Sequence, residues 1–547
     1  YGDKMITITY NNKKYEYESG TTLLDISKNF ESEFKFPIIG AKVNGMSMSL
    51  NEKITENSLV CFFDITSSCG MRVYENTAIF ILSKAVRDIM NKDVIVEHSL
   101  DKGLYCMVDG ITEELIMKIK DRMLEIIKSK VVIEKLNINR LKMIKYYKDN
   151  NMIDKANLLK YISNTYVTIY RLDNIYDYFF GEMALDTSYV SSFNLKYLEN
   201  NGFVLMLPSI YYDGKLDEYN HHDAFFKSIV ENIRWTNSIN ARFFSDINRR
   251  LSKGEWNDLI FMSEATYNKA LLDVACEIEK KGSVKMVLIA GPSCSGKTTT
   301  SKKLQMFLEG RGLKPVVLSL DDYFKERDET PLDENGFKDF ESVNAIDGEL
   351  FNKQMKEMLE YKEVCIPTFN FITGKKEYKK KIKLDKDSIL IVEGLHSLND
   401  DITKSIPKEN KYKIYISPLT GINIDNHNRL RTTDNRLLRR MVRDNLTRGY
   451  TASQTLESWS RVRSGETKYV FPYQDSADVV LNTSLIYEIS VLKVYAEPLL
   501  YSVSEDDINY DAAIRLINIL RMILPMPSSS IPLDSVLREF IGNSCFE

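Results

Sequence analysis

LIAGPSCSGKTTTSKKL, the stretch from Leu288 to Leu304, decides the fold of this chain. Within it GPSCSGKT, residues 291–298, fits the pattern G-x-x-x-x-G-K-[ST], with an apolar run before it and a helix-forming run after it. Glycines let the main chain bend around a phosphate chain and point its N–H groups inward, and a helix that begins there adds its positive end. The alternative is a chance match in an ordinary strand-to-helix turn. The strand–loop–helix context favours a phosphate-binding loop.

This loop predicts a nucleotide site that uses ATP and Mg²⁺. The Lys297 ammonium group would reach the β- and γ-phosphates, and the Thr298 hydroxyl would be a ligand of Mg²⁺. The predicted nucleotide-binding residues of the loop are Gly291, Pro292, Ser293, Cys294, Ser295, Gly296, Lys297, Thr298 and Thr299.

Acidic residues close two further apolar strands. Asp321 and Asp322 follow the strand in VVLSLDDYFK, and Glu393 ends the strand in SILIVEGLHSL. Because ligands of open α/β sheets bind at the carboxyl edge of the strands, these side chains are candidates for the site. We predict that Asp321 accepts a proton from an attacking hydroxyl group or holds Mg²⁺, and that Glu393 also serves the metal. Asp322 fits a helix cap or turn equally well.

An arginine-rich helix follows the predicted strands. NRLLRRMVRDNLTRGY places Arg436, Arg440 and Arg443 on one helical face. One interpretation is a solvated basic face; the other is a lid that closes over the transferring phosphate and neutralises its charge. We favour the lid, with Arg440 and Arg443 as catalytic residues beside Lys297 and Asp321. The lysine-rich TGKKEYKKKIKLDKD predicts an exposed hairpin that carries a solvated charge run.

The composition is that of a globular protein with several domains. With 547 residues the chain exceeds what one hydrophobic core supports, and 44% of its residues are hydrophobic and 27% charged. A net charge of −4 gives no global basic field for nucleic acid. No apolar run approaches the roughly 18 residues of a membrane span. Seven cysteines without a CxxC pair suggest reduced thiols and a cytoplasmic location, and argue against a zinc ribbon.

Changes in pattern divide the chain into five segments. Short alternating strands around one helix, residues 4–66, predict a small α+β module, and residues 67–222 predict a second α+β unit. Residues 223–281 predict a helical connector, residues 282–503 alternating strands and helices, and residues 504–547 a helical end. Continuous apolar strands between helices predict a parallel sheet covered on both faces. The expected fold class is therefore multidomain α/β.

Seven motifs, taken in order, resemble the uridine kinase branch of the phosphoribulokinase/uridine kinase family over about residues 283–485. They are GPSCSGKT, SLDDYFK, DFESVNAID, IPTFNFITGKK, IVEGL, RRMVRDNLTRG and FPYQDSADVVL. The resemblance implies transfer of the ATP γ-phosphate to the 5′-hydroxyl group of a nucleoside. It implies that Asp321 is the general base, that Glu341 or Asp347 binds the ribose hydroxyl groups and that Arg448 faces ATP. The acceptor-binding residues that it implies are Asp321, Phe324, Glu341, Asp347, Phe369, Phe371, Arg440 and Arg443.

The chain departs from that family around the base of the acceptor. The family carries a tyrosine, an aspartate–phenylalanine pair and a histidine where this chain has Phe369, Asn370, Phe371 and Gly374. Phe369 and Phe371 can still stack on a base, but the histidine that reads a pyrimidine edge is replaced by glycine. We therefore expect the acceptor to be a nucleoside, or else another small alcohol such as a pentose phosphate or pantothenate.

The N-terminal part resembles the front of threonyl-tRNA synthetase, with its TGS module in residues 4–66 and its editing-type domain in about 72–210. NTAIFILSKAVRDIM and IYDYFFGEMALDTSYVSSFNL carry the second likeness. The zinc-binding H-x-x-x-H and C-x-x-x-H positions of that domain correspond here to Asn76, Phe80, Phe179 and Met183, so neither zinc binding nor aminoacyl-tRNA hydrolysis is expected. The resemblance implies tRNA contact, regulation, assembly into a homo-oligomer or a merely structural part. An ATP-gated tRNA-binding regulator with vestigial phosphotransfer is the alternative function.

Overall fold

The computed structural model describes residues 5–199, 201–210, 213–333, 336–370 and 373–546. Phe371, predicted above to contact the acceptor, lies outside the described residues. The architecture is multidomain α/β, as the sequence predicts. Among the described residues, no helix has both the length and the apolar character needed to cross a lipid bilayer.

The first unit is a five-stranded sheet with one short helix. Its elements are β1 Met5–Tyr10, β2 Lys13–Glu18, β3 Thr21–Thr22, α1 Leu23–Ser27, β4 Gly40–Val43, β5 Met46–Met48, β6 Lys53–Ile54 and β7 Ser58–Phe63. The strand order of the sheet is β2-β1-β7-β4-β5, and β3 pairs with β6. Asn11 and Asn12 have φ angles of 47° and 60°, which suit the tight hairpin turn, and Thr22 caps α1 by accepting the Asp25 N–H.

The second unit packs a long buried helix and its neighbours on two antiparallel sheets. Its elements are α2 Ser68–Met90, β8 Ile95–Leu100, β9 Gly103–Met107, α3 Glu113–Lys128, β10 Ile133–Asn139, α4 Arg140–Asp149, α5 Ile153–Leu158, β11 Tyr166–Leu172, β12 Ile175–Asp177, β13 Asn194–Leu198 and β14 Gly202–Met206. The strand orders are β13-β14-β9-β8 and β10-β11-β12. Thirteen residues of α2 are buried, among them the apolar run at 78–82.

Three helices lead from the second unit into the third. They are α6 Asp223–Ser238, α7 Phe244–Ser252 and α8 Trp256–Lys281. The predicted helical character is present, but α7 and α8 do not merely connect. Phe244, Tyr267 and Leu271 are buried in the same hydrophobic cluster as Val287 and Ile414 of the following sheet. These helices therefore form part of the body of the third unit.

The third unit is built on a five-stranded parallel sheet. Its elements are β15 Met286–Ala290, α9 Lys297–Glu309, β16 Lys314–Ser319, α10 Gly348–Leu359, β17 Val364–Asn370, β18 Lys375–Ile382, β19 Ser388–Glu393, β20 Lys411–Ser417, α11 Thr432–Arg448, α12 Ala452–Tyr469 and β21 Val479–Asn482. The strand order is β16-β19-β15-β20-β21, and every pairing is parallel. Each residue of β15 and β19 is buried, as a sheet covered on both faces requires. The lysine-rich hairpin β17–β18 is separate from this sheet.

The end of the chain is less helical than its sequence predicts. The helices after the sheet are α13 Glu488–Tyr501, α14 Tyr510–Leu520 and the four-residue α15 Arg538–Ile541. Between the last two the chain contains Pro525, Pro527 and Pro532, and each proline removes a backbone N–H that a helix would use. This irregular segment folds back, so that Val536 and Phe540 join the core of the third unit.

Candidate functional site

The loop between β15 and α9 has the geometry of a phosphate cradle. Gly296, immediately before the helix, has a φ angle of 88°, which favours glycine over other residues. A β-carbon at Gly291 would lie 2.2 Å from the carbonyl oxygen of Ile416, so the main chain could not run so close to β20 with a larger residue. Cys294, with a φ of 60°, also takes the left-handed conformation and is buried. The bend thus depends on residue types that the sequence motif supplies.

The two residues that start α9 are placed differently. The Lys297 ammonium group donates hydrogen bonds to the carbonyl oxygens of Gly291, at 3.0 Å, and Pro292, at 3.3 Å. It therefore folds across the mouth of its own loop. The Thr298 side chain is exposed at the first turn of the helix. Both groups are within the loop that the sequence assigned to phosphate and metal.

Asp321 and Glu393 come together at the carboxyl edge of the sheet. Asp321 lies in the 3-10 turn Leu320–Tyr323 directly after β16, and Glu393 ends β19 in register with Ser319 of β16 and Ile289 of β15. Burial, reinforced by the charge of Asp321, raises the pKa of Glu393 to about 7. Burial also raises the pKa of Asp321, while the Lys297 charge opposes that rise. The two carboxyls therefore lie near each other and near the Lys297 ammonium group.

This donor set fits Mg²⁺ and a phosphate chain. Mg²⁺ prefers carboxylate and hydroxyl oxygens, which Asp321, Glu393 and Thr298 supply. The pKa values of Asp321 and Glu393 are both raised, so a divalent cation beside these carboxyls would stabilise their charged forms. The glycine-bent loop and the start of α9 supply backbone N–H donors for phosphate oxygens.

On the predicted acceptor side, Glu341 has a carboxyl oxygen without a hydrogen-bond partner among the residues that the structure describes. Glu341 lies against α12, where a β-carbon at Gly465 would approach the Glu341 β-carbon to 2.6 Å. Burial, with the nearby charge of Glu466, raises the pKa of Glu341 to about 7, and Arg440 opposes this rise. Its Oε2 atom is buried without a hydrogen-bond partner. Glu341 is therefore available to a hydroxyl group of an acceptor.

Asp347 is already engaged in the structure. Its carboxylate caps α10 by accepting the Leu350 N–H at 3.1 Å, and the Lys376 ammonium group donates to it at 2.6 Å. Burial alone would raise its pKa, but the hydrogen bonds from Lys376 and the Leu350 N–H lower it. Of the two candidates for the ribose hydroxyls, the geometry therefore favours Glu341.

The aromatic residues of the acceptor side pack on one another. Phe324 and Phe369 are buried, with their ring centroids 5.8 Å apart in an edge-to-face arrangement. The Phe369 N–H donates to Asp322 at 3.1 Å, so Asp322 fixes the end of β17 against the 3-10 turn that carries Asp321. This contact gives Asp322 a positioning role beside its neighbour.

The arginines of α11 divide into two groups. Arg436 and Arg439 are fully buried; Arg436 pairs with Glu466 and donates to the Ser293 carbonyl oxygen at 2.9 Å, and Arg439 pairs with Glu488 and donates to the Cys294 carbonyl oxygen at 3.3 Å. These two side chains fasten the phosphate loop from behind. They are therefore not part of a mobile face.

The second group faces the loop. Arg440 donates to the Ser293 hydroxyl at 3.1 Å, and Arg440, Arg443 and Arg448 all lie within 3.4 Å of Asp444. Arg448 is half exposed at the end of α11. This group matches the predicted lid residues, but α11 itself packs in the core, so that any closing motion belongs to these side chains and the end of the helix.

Two carboxylates of the site could not be identified from the sequence. Glu466 of α12 accepts the Ser293 N–H at 2.8 Å and pairs with Arg436 and Arg463. Glu539 of α15 accepts the Thr299 N–H at 3.0 Å and the Thr299 hydroxyl at 2.8 Å. Both come from segments far along the chain with no recognisable motif. Only the three-dimensional packing brings them to the loop.

The four positions that the resemblance aligns with zinc ligands lie in the interior of the N-terminal region. The Asn76 amide donates to the carbonyl oxygen of Phe180 at 2.9 Å, and the rings of Phe80 and Phe179 lie 5.3 Å apart. Met183 is buried in the same hydrophobic cluster. Three of these positions are therefore buried apolar packing, and the fourth, Asn76, is hydrogen-bonded to the main chain.

A cavity of about 940 Å³ is lined by residues of both the N-terminal region and the sheet unit. Its walls carry arginines that are already paired: Arg429 and Arg431 with Glu75, and Arg515 with Asp434. The cavity reaches the loop only at Pro292 and does not contain Asp321 or Glu393. It is thus distinct from the candidate site.

Comparison with known proteins finds relatives of the part of the chain around residues 286–489, and they include uridine kinases. The family model described as Phosphoribulokinase / Uridine kinase family matches residues 286–489. Uridine kinase of Borrelia duttonii (strain Ly) is 30% identical over 216 residues, which make up 38% of this chain and 93% of that relative. A solved structure titled as a possible uridine kinase from Bacillus stearothermophilus is 17% identical and covers 39% of this chain and 98% of that one, with a TM-score of 0.27.

The N-terminal region is similar to a different protein. Threonine–tRNA ligase of Clostridium kluyveri is 30% identical over 161 residues, or 28% of this chain, but the match spans only 25% of that relative's length. The two likenesses fall on different parts of the chain and confirm the fusion that the motifs predict. The chain therefore belongs to the phosphoribulokinase/uridine kinase family, with an N-terminal region similar to threonine–tRNA ligase joined to its kinase-like part.

Proposed function

We propose that the chain is a Mg·ATP-dependent kinase that transfers the γ-phosphate of ATP to the 5′-hydroxyl group of a nucleoside. The observation that carries the proposal is the meeting of Lys297, Asp321 and Glu393 at the carboxyl edge of three neighbouring parallel strands. The 93% coverage of a uridine kinase by this chain supports the same reaction class. ATP with Mg²⁺, when bound, supplies the transferable phosphoryl group and neutralises part of its charge.

The other roles in the reaction belong to side chains of the protein. Asp321 accepts the proton of the acceptor hydroxyl, and its raised pKa suits a general base better than an exposed aspartate would. Lys297 leaves the carbonyl oxygens of its loop to hold phosphate oxygens, and Thr298 with Glu393 serves the metal. Arg440, Arg443 and Arg448 add positive charge where negative charge develops.

The acceptor site is assigned to the region next to Asp321. Glu341 would bind a sugar hydroxyl through its unpartnered oxygen, and Phe324 and Phe369 would form an apolar wall for a base. A hairpin glycine, Gly374, stands where the uridine kinase branch reads the pyrimidine edge, so the pocket discriminates weakly between bases. Another small alcohol, such as a pentose phosphate or pantothenate, is the runner-up acceptor for the same reason.

The proposal is tested by acceptor-dependent release of ADP across a panel of nucleosides, pentose phosphates and pantothenate. Turnover with at least one nucleoside, lost in Asp321→Asn, is the expected result. Turnover with only a non-nucleoside alcohol would support the kinase activity but contradict the nucleoside as its acceptor. Absence of turnover with every member of the panel would contradict the proposal.

One observation favours a second candidate, an ATP-gated regulator that binds tRNA. The N-terminal region is 30% identical to a segment of a threonine–tRNA ligase. This candidate predicts tRNA binding that weakens steeply with salt, together with no acceptor-dependent ADP release. A gel-shift titration of the full chain with tRNA at two salt concentrations separates it from the kinase.

The domain assignment that we propose keeps the TGS-like module at residues 4–66 and the editing-like, non-catalytic unit at 67–222. The buried contacts of α7, α8 and the end of the chain extend the kinase-like unit of 282–503 in both directions. All seven cysteines are free, which suits a reducing, cytoplasmic setting. Assembly into a homo-oligomer is an additional proposal that size measurement in solution tests.

A further inference from the structure

The segment before the end of the chain lies directly on the nucleotide loop. Glu539 Oε2 accepts both the backbone N–H and the hydroxyl group of Thr299, at 3.0 Å and 2.8 Å. Thr299 is itself buried, in the first turn of α9. A phosphate chain held by such a loop takes its hydrogen bonds from the N–H groups at this helix start. Glu539 and phosphate oxygens therefore need the same donors.

The neighbouring residues of this segment form a fixed base for Glu539. Val536, Leu537 and Phe540 are buried, and Val536 lies so close to the loop that a β-carbon on Gly296 would approach it to 2.4 Å. The Phe540 ring lies 4.9 Å from the Arg439 guanidinium group. Asp534 pairs with Lys303 of α9 at 2.8 Å. The backbone is thus held in place by the core.

The Glu539 side chain differs from this base because it is only partly buried. It can turn toward solvent without unseating the apolar residues on either side. Its carboxylate also adds negative charge close to Glu393, whose pKa it helps to raise. A negative group at this place opposes the approach of a triphosphate in two ways: it uses the donors, and it repels the charge.

We propose that Glu539 is an autoinhibitory gate, a side chain that occupies the phosphate donors of Thr299 until a nucleotide displaces it. The inference rests on the proposed function, since it assumes that the 291–299 loop binds a nucleotide. The gate lowers the apparent affinity by the fraction of time that the loop is open. The enzyme therefore responds to a higher nucleotide concentration than the bare loop would need.

The test is isothermal titration of the full chain with Mg·ADP, which binds the loop but carries no γ-phosphate to transfer. A loop that is open about a tenth of the time loses about tenfold in apparent affinity. Glu539→Ala is therefore expected to bind Mg·ADP about tenfold more tightly than the unchanged chain. Glu539→Gln, which keeps the size but not the charge, is expected to fall between the two.

Asp534→Asn is the matched control, because it removes a negative charge from the same segment next to α9 without touching Thr299. Its affinity for Mg·ADP is expected to stay within about twofold of the unchanged chain. Circular dichroism of each variant confirms that it is folded. If Asp534→Asn gained as much affinity for Mg·ADP as Glu539→Ala, the effect would come from net charge alone, and this would overturn the gate.

Equal or weaker binding by a folded Glu539→Ala would also overturn the gate, since Glu539 would then be neutral or would help to bind the nucleotide. In that outcome heat from the unchanged chain leaves the proposed function standing. Absence of heat from the unchanged chain and from every variant would overturn the nucleotide site itself, and the gate with it.

Discussion

The Lys155 ammonium group of the N-terminal region lies 2.9 Å from the Asp425 carboxylate of the kinase-like unit and 2.7 Å from Asp177. All three side chains are buried. His427 completes the cluster: it pairs with Asp177 through Nδ1 and lies 3.0 Å from Asp93 through Nε2. The two parts of the chain are therefore joined by a buried ionic network as well as by apolar contact.

The first prediction is that Lys155→Met destabilises the folded chain strongly. The substitution leaves Asp177 and Asp425 buried without their shared cation, and breaking a buried pair in this way costs about 3–5 kcal/mol. Urea denaturation measures the loss. Lys118→Met is the control, because its pair with Glu114 is exposed and its removal should leave the midpoint unchanged. Equal midpoints for the two variants would contradict the role of the cluster.

The second prediction concerns the pH dependence of stability. Burial alone would lower the pKa of His427, but the charges of Asp177 and Asp93 outweigh it and raise this pKa to about 10; Lys155 opposes them. The unfolded value is about 6.5. Because the folded pKa is the higher, the stabilisation by His427 is complete below about pH 6.5 and is lost as the pH rises toward 10.

Thermal unfolding of the unchanged chain and of His427→Gln between pH 6 and pH 10 checks this sign. The difference between their midpoints should be largest at pH 6 and should shrink as the pH rises. A difference that stays constant, or grows, over this range would show that His427 does not carry a positive charge in the folded chain.

The third prediction separates two adjacent carboxyls. Asp321→Asn should lower kcat by about 10²–10⁴-fold, the usual contribution of a general base. Asp322→Ala should act mainly on the KM of the acceptor, because it removes the oxygen that accepts the Phe369 N–H and positions the hairpin. Steady-state kinetics with saturating Mg·ATP measures both. A large kcat loss in Asp322→Ala with none in Asp321→Asn would contradict this division of roles.

The fourth prediction divides α11 into structural and functional arginines. Arg439→Ala leaves Glu488 buried without its partner and should cost about 3–5 kcal/mol of stability. Arg440→Ala removes a partly exposed side chain that contacts the Ser293 hydroxyl, so it should lower kcat with little change in the unfolding midpoint. Parallel denaturation and kinetic measurements on both variants show whether the division holds; loss of stability alone in Arg440→Ala would refute it.

The fifth prediction uses two glycines of the same helix. Gly296→Ala combines a φ angle of 88° with a β-carbon 2.4 Å from Val536, so it should distort the loop and abolish Mg·ATP binding. Gly310→Ala at the other end of α9 meets no atom closer than 3.4 Å and should bind normally. Titration calorimetry on the two variants gives the comparison. Normal Mg·ATP binding by Gly296→Ala would contradict the assignment of this loop to phosphate binding.

The parts of the fold with a strong local pattern could be predicted from the sequence. The strand predicted in SILIVEGLHSL, ending at Glu393, is found at Ser388–Glu393, because continuous apolar runs mark buried parallel strands. The short alternating strands predicted for residues 4–66 are also found, among them β1 and β2, whose turn at Asn11 and Asn12 uses residues that tolerate a positive φ. In these segments the local preference and the final packing agree.

The rest depends on contacts between distant segments. Helices α7 and α8 have the same amphipathic pattern as a free connector would have, and only the sheet beside them shows that they are core. The sequence places Arg436 and Arg440 on one helical face. In the structure Arg436 is buried, where it pairs with Glu466. Glu539 lies 240 residues from Thr299 along the chain, and no local signal links the two.

The central claim is that the phosphate loop and Asp321 carry out phosphoryl transfer to a small alcohol. Its most direct test is incubation of the full chain with Mg²⁺, ATP labelled in the γ-phosphate and each nucleoside in turn, followed by chromatographic separation of the products. The account predicts that label appears in a nucleoside monophosphate with the unchanged chain and not with Asp321→Asn. Label that remains in ATP or passes only to inorganic phosphate, whichever acceptor is supplied, would contradict it.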